Sequence, residues 1–331
     1  MKHGGDLARA EAAYGRPRQG WLDLSTGVNP HPYQLPPFPS SSLTRLPEPP
    51  DLESLLRTAR QAYEWPEDVP VVAGPGAQAM IQLLPYLRVR GSVAVVGRTY
   101  EEHAYVWARA GHEVTICDMQ TAEDSDVVVL VNPSTPFGRT TSPEKLQKLA
   151  ERLAEREGLL VVDETYADVA PEVALGGRLS SRGVVVLRSF GKFFGLPGLR
   201  LGFAAGDQEM VSELAGELGP WPVSGPALVS GLTALADEAW IATMRLRLTV
   251  DAMRLDGVLA HAGFTGLSGC DLFRAGRHPR AAAVHESLAR AGVWCRRFDD
   301  RPDCLRFGLP GDDEAFERLD TALKAAFEKA L

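Results

Sequence analysis

One lysine stands where a lysine is costly. Lys192, in RSFGKFFGLPGLRLGF (188–203), is flanked by Phe190, Phe193 and Phe194. Burial disfavours the ammonium form and pushes an amine towards neutrality. A neutral amine is a nucleophile that condenses with aldehydes. The alternative is a side chain that runs past the rings and keeps its charge in water. That alternative must also explain Ser189, three residues before, and Arg200, eight residues after, both suited to a phosphate. The chain has six lysines (Lys2, Lys145, Lys148, Lys192, Lys324, Lys329), and four of them lie in polar helical segments. Lys192 stands apart.

Other stretches offer complementary chemistry. VVAGPGAQAMIQLLPYL sets a Gly-Pro-Gly turn before a helix, so the N–H groups of Gly76, Ala77 and Gln78 form either an anion site or a plain tight turn. LLVVDETYAD ends a strand in Asp163, with Tyr166 close behind. Sites of parallel sheets gather at such strand ends, although a solvated carboxylate is the other reading. LVNPSTPFGR is a stiff loop presenting Asn132, Ser134 and Thr135, and VGRTYEEHAYVWARAG places Tyr100 and His103 after another strand. A phosphate cradle (Gly76 to Gln78, Ser189, Arg200), an aldehyde-binding lysine, a strand-end aspartate and a stacking aromatic are together the needs of pyridoxal phosphate. In that reading Asp163 keeps the pyridine nitrogen protonated, and Tyr166 with the Asn132–Thr135 loop bonds the ring hydroxyl.

The elements that must position these residues are legible in outline. Helical spacing covers Leu7–Tyr14 and DLESLLRTARQAY, and GWLDLSTGVNPHPYQLPPFPSSS reads as an extended loop. From Val69 to Phe203, short β-branched runs (VPVVAG, SVAVVG, HEVTICD, DVVVLVN, GLLVVDE, GVVVLRSF) alternate with helix-like segments. Runs apolar on both faces predict an α/β architecture, a mainly parallel sheet between helices. Beyond about Gly206, DQEMVSELAGEL and the segment from Pro226 to Ala262 read as helices. GFTGLSGCDLFRAG, GVWCRRF and CLRFGLP then read as strands around the helix PRAAAVHESLARAG, two of them forming a hairpin through DDRPD. This predicts a second, smaller α+β domain.

Composition narrows the classes. A formal charge of −8 over 331 residues argues against nucleic-acid binding, which needs clustered Lys and Arg. The four cysteines show no metal-ligand spacing, so no metal is expected. No apolar run approaches membrane-spanning length, and MKHGGDLARAEAAYG lacks an apolar signal core, so a reduced, cytoplasmic protein off the membrane is expected.

At these motifs the chain resembles the fold-type I pyridoxal-phosphate enzymes of the aminotransferase superfamily. SFGKFFGLPGLRLG is similar to their SxxK…R signature, NPSTPFG to their NPxNPTG loop and VVDETYAD to their aspartate strand. The resemblance implies an aspartate-aminotransferase-like large domain (residues 37–235). It also implies a small domain made of residues 1–36 and 236–331, and a homodimer with shared active sites. It makes Lys192 the Schiff-base lysine, Asp163 the ring-nitrogen partner and Tyr100 the stacking ring, with Ser189 and Arg200 on the cofactor phosphate. Four positions depart from the pattern: Thr135 stands for a usual Asn, Leu46 for a common Tyr, Ala79 for a frequent Glu and Gly191 for a common Ser.

Within the superfamily, HGGD, LDLSTGVNP and CLRFGLPG resemble the threonine-phosphate decarboxylases of cobalamin biosynthesis. That resemblance implies loss of CO₂ from L-threonine O-3-phosphate to give (R)-1-amino-2-propanol phosphate. Arg296 and Arg306 would hold the substrate's acidic groups, since two guanidinium forks suit a phosphorylated amino acid; His3 and Asn29 would close the pocket. A histidinol-phosphate-type aminotransferase is the alternative, using the same core residues. A non-catalytic binding protein of the same fold is the third reading.

Overall fold

The run VVVLV at residues 127–131 is buried along its whole length. A strand can be apolar on both faces only if both are covered, and helices cover them here. The computed structural model of the protein describes residues 4–328. In chain order the strands are β1 (Leu22–Leu24), β2 (Val71–Gly74), β3 (Ser92–Val96), β4 (Glu113–Cys117), β5 (Val127–Val131) and β6 (Leu159–Asp163). They continue as β7 (Val184–Ser189), β8 (Gly202–Gly206), β9 (Thr265–Cys270), β10 (Phe273–Arg277), β11 (Val293–Phe298) and β12 (Arg301–Gly308).

Two compact units divide the chain. The larger holds residues 33–135 and 139–240. Its seven-stranded sheet has the order β2-β8-β7-β6-β5-β3-β4. β3 to β7 pair in parallel, and β8 runs antiparallel to both β2 and β7. The predicted α/β class and mainly parallel sheet are therefore observed. Helix Pro143–Ala154 shows how a covering layer is specified. It starts behind Ser142 with proline in its first turn and buries Leu146, Leu149, Ala150 and Leu153 on one stripe. Helix Ala77–Leu83 joins Met80 and Ile81 to a core with Val95, Val129, Val161 and Leu187.

The smaller unit holds residues 1–32, 136–138 and 241–331. Its sheet has the order β1-β11-β12-β10-β9, with β1 parallel to β11 and the other pairings antiparallel. The DDRPD hairpin is present as β11–β12, whereas β1 lies in a stretch expected to be loop. Among the described residues, no helix is long and apolar enough to cross a membrane. All four cysteines are free. Burial pushes the Cys270 thiol up to about 12 and the Cys304 thiol up to about 11.

A buried ionic cluster lies beneath the larger sheet's carboxyl edge. Arg188 on β7 sits 3.1 Å from Glu164 and 3.7 Å from Asp168, with its guanidinium 4.5 Å from the centre of the Tyr63 ring. Burial works against the Arg188 charge, but Glu164 and Asp168 outweigh it and hold the guanidinium protonated. Removing one member strands the others. Arg188→Met is expected to cost about 3–5 kcal/mol in denaturant unfolding, the usual result of an uncompensated buried charge. A loss under about 1 kcal/mol would mean that the two carboxylates find other partners.

Candidate active site

Asp163 closes β6 with its side chain inside the protein, 2% exposed. One carboxylate oxygen lies 2.8 Å from His103 Nε2; the other accepts the Thr165 N–H at 3.0 Å. Burial alone would raise the Asp163 pKa. The His103 hydrogen bond and charge, with the Thr165 bonds, outweigh it and hold the carboxyl below the usual aspartate range. The strand-end acid is therefore a buried carboxylate with a dedicated partner. His103 lies on helix Glu101–Arg109, three residues after Tyr100, so both side chains share one helix face. Their rings meet edge to face, with centroids 5.9 Å apart.

Tyr100 precedes this helix, and its hydroxyl donates to Gln78 Oε1 at 2.9 Å. Burial, then the nearby charges of Glu102 and Asp163, raise its pKa and keep the phenol neutral. Gln78 lies in the first turn of helix Ala77–Leu83, where the N–H groups have no earlier helical carbonyl to bond. Gly76 caps that helix with φ +83°, a left-handed value that favours glycine. Its own N–H donates to Gly74 O at 2.7 Å, so the cradle's outward donors are those of Ala77 and Gln78 and not of Gly76. A Cβ on Gly76 would lie 2.6 Å from Arg200 Nη2, and one on Gly202 would lie 2.3 Å from the Ala77 nitrogen. Only glycines allow the turn, β8 and the Arg200 guanidinium to approach this closely.

Lys192 follows β7 on the short helix Phe190–Phe193 and is half-buried. Its Nζ lies 5.5 Å from the centre of the Tyr166 ring. The phenylalanines that made it conspicuous turn away into a stack: Phe190 lies on Phe194 at 4.5 Å, and Phe194 on Trp240 at 5.6 Å. They anchor the backbone beneath the lysine and leave the amine clear of their core. A Cβ on Gly191 would lie 2.8 Å from Pro197 Cα, and a serine there would have to displace that turn. Ser189 ends β7 opposite Gly202 of β8.

The loop expected to bond a ring hydroxyl divides differently. Both amide protons of Asn132 go to backbone carbonyls, Thr141 O at 3.0 Å and Val173 O at 2.8 Å, and its Oδ1 accepts the Thr141 N–H. The side chain holds the loop shut and has no proton left for a ligand, which corrects the expectation for Asn132. Thr135 is buried at the same loop.

Of the predicted substrate residues, Asn29, Arg296 and Arg306 belong to the smaller unit. Arg296 and Arg306 are cross-strand partners on β11 and β12. Arg306 donates to Ser25 O at 2.8 Å and lies over the Phe273 ring. The Ser25 hydroxyl accepts the Gly5 N–H at 2.7 Å, so the N-terminal segment is pinned to the residue that Arg306 holds. The Asn29 amide oxygen accepts the His31 N–H at 2.8 Å and shapes its own loop. His3 lies outside the described residues. Sequence reasoning gave no role to His103 or Glu102; the three-residue spacing from Tyr100 was the signal that could have found His103, and Glu102 offered none.

The profile of the aminotransferase class I and II family matches residues 50–323, and the chain belongs to that family. It is 42% identical to the threonine-phosphate decarboxylase of Pseudomonas aeruginosa, over 100% of this chain and 99% of that one. It is 41% identical to a protein of the same name from a Sinorhizobium species, over 97% of both chains. Identity to the histidinol-phosphate aminotransferase of Rhodopirellula baltica is 27%, over 89% of this chain and 86% of that one. The crystal structure of histidinol-phosphate aminotransferase from Sinorhizobium meliloti, in complex with pyridoxal-5'-phosphate, has the same fold. Its TM-score is 0.81 at 19% identity, covering 100% of this chain and 99% of that one.

The lowered Asp163 pKa has a consequence for stability. A depressed carboxylate contributes stability above its unfolded value, about 3.9, and loses it as pH falls through the folded value. The unfolding free-energy gap between the protein and Asp163→Asn should be largest near neutrality and shrink below about pH 4. Denaturant titrations across pH read this directly, and a constant gap would exclude an ionised Asp163.

Proposed function

We propose that the chain is a pyridoxal-phosphate-dependent decarboxylase. It takes L-threonine O-3-phosphate to (R)-1-amino-2-propanol phosphate, the step of cobalamin biosynthesis that its relatives' name implies. The residues fit the cofactor. A buried carboxylate held ionised suits a protonated ring nitrogen, and the glycine-lined turn under Arg200 suits a phosphate. Bound pyridoxal phosphate supplies an aldehyde that takes up the substrate amine and a protonated ring that receives electrons released at Cα.

The chain's own groups do the rest. Lys192 Nζ is the amine that holds the aldehyde at rest and then carries a proton at Cα. Asp163 keeps the ring nitrogen protonated, with His103 keeping Asp163 charged and oriented. Tyr100 stacks on the ring, and Tyr166 and Thr135 bond its hydroxyl. Ser189, Arg200 and the Ala77 and Gln78 amides hold the cofactor phosphate. Arg296 and Arg306, with Asn29 and His3, take the substrate's phosphate and carboxylate. The decarboxylase reading rests on one observation above others. Identity is 42% over 100% of the chain to a threonine-phosphate decarboxylase and 27% over 89% of it to a histidinol-phosphate aminotransferase.

Purified holoenzyme given threonine phosphate is expected to release CO₂ and to transfer no amino group to 2-oxoglutarate. Amino transfer from histidinol phosphate without CO₂ would replace this reading by the aminotransferase. Lys192→Ala should lose at least about a hundredfold in turnover and the visible absorbance of lysine-held cofactor. An unchanged absorbance would remove Lys192 from its role.

The functional form we propose is a homodimer with shared active sites, working in the cytoplasm. The free thiols agree with a reducing compartment. Phe38, Leu43 and Leu46 cluster in sequence and are all exposed, Leu43 at 72%, and an apolar surface of this kind suits a second copy of the chain. Sedimentation should give two chains per particle, and Leu43→Glu with Leu46→Glu should give one. A wild-type protein that sediments as a single chain would overturn the dimer.

A further inference from the structure

Glu102 is a carboxylate placed indoors, 7% exposed, in the first turn of helix Glu101–Arg109. Two side-chain amides converge on the same oxygen: Gln78 Nε2 at 3.2 Å and Gln82 Nε2 at 3.0 Å. These glutamines lie one turn apart on helix Ala77–Leu83, so they present their amides to one point. The far end of the Gln78 amide, Oε1, accepts the Tyr100 hydroxyl at 2.9 Å.

The donor and acceptor inventory makes this a directed chain. A carboxylate only accepts, so Gln78 must turn its NH₂ towards Glu102 and its oxygen towards Tyr100. That oxygen cannot donate, so the phenol must be the donor. We infer that Glu102 is a positioning residue for the cofactor site: acting through Gln78, it fixes the direction of the Tyr100 hydroxyl proton and with it the plane of the Tyr100 ring. The hydroxyl proton is spent within the protein, so Tyr100 meets a bound ring as a neutral stacking face and offers the cofactor phosphate no donor. The binding consequences rest on the pyridoxal-phosphate reading. The polarity of the chain does not.

Glu102→Met keeps most of the volume and removes the oxygen on which both glutamine amides converge, so nothing directs the Gln78 amide. In the apoprotein, the ¹³Cζ resonance of Tyr100, assigned by its loss in Tyr100→Phe, should shift in Glu102→Met; an unmoved resonance overturns the inference whatever cofactor the protein uses. In the holoenzyme, Glu102→Met should raise the dissociation constant for pyridoxal phosphate about fivefold, the worth of roughly one hydrogen bond. In a Tyr100→Phe background the same change should have less than about a twofold effect, since a shared pathway is non-additive. Equal effects in both backgrounds would assign Glu102 to general stability and sink the inference. Gln78→Met gives a second route: its effect on affinity should likewise vanish in the Tyr100→Phe background, and an additive effect counts against the relay.

Discussion

A charge buried at the end of a central strand is the constraint from which most of this structure follows. Asp163 keeps its charge inside the protein because His103 and the Thr165 N–H hold it there. The next residue, Glu164, faces the other side of the chain and meets Arg188. Two adjacent carboxylates are thus assigned opposite faces, each with its own cation or donor. One holds His103, and the other fixes the backbone from which Ser189 and Lys192 depart. Placing His103 on Asp163 also places Tyr100, three residues away, and Tyr100 in turn requires the Gln78 and Glu102 relay.

Steric permission supplies what charge does not. Gly76, Gly191 and Gly202 each stand where a single added carbon would meet neighbouring atoms at 2.8 Å or less. The turn at Gly76 and β8 therefore close on each other at backbone distance, and the turn after Lys192 folds back onto Gly191. The departure at Gly191 from the family's common serine has its reason in Pro197, a neighbour six residues further along the chain.

The parallel core was legible because its strands state their burial in their own composition: VVVLV and LLVVD admit no solvent-facing side. Lys192, Asp163 and Arg200 were legible for the opposite reason, as charged groups in segments whose pattern does not explain them. What the sequence concealed depends on distant partners. β8 reads as GFAAG, weak in strand formers, and exists because β2 and β7 flank it. β1 is three residues long and becomes a strand only by pairing with β11. Asn132 resembled a ligand residue, and only its backbone partners at Thr141 and Val173 reveal a loop fastener. No local pattern could have supplied the two glutamines that aim at Glu102, because their meaning depends on which helix faces them.

The pairing of β1 with β11 also bears on how the chain comes to be folded. Leu22 sits beside Val293, so the hydrogen-bonding partner of β1 is made only after the whole of the larger unit. The larger unit is complete once residue 240 has been made and needs nothing beyond it to close its sheet. The N-terminal segment, with Gly5 pinned to Ser25 and Ser25 to Arg306, must wait through all of that synthesis. Loop closure over such a separation is slow, so residues made before the larger unit find their place after it.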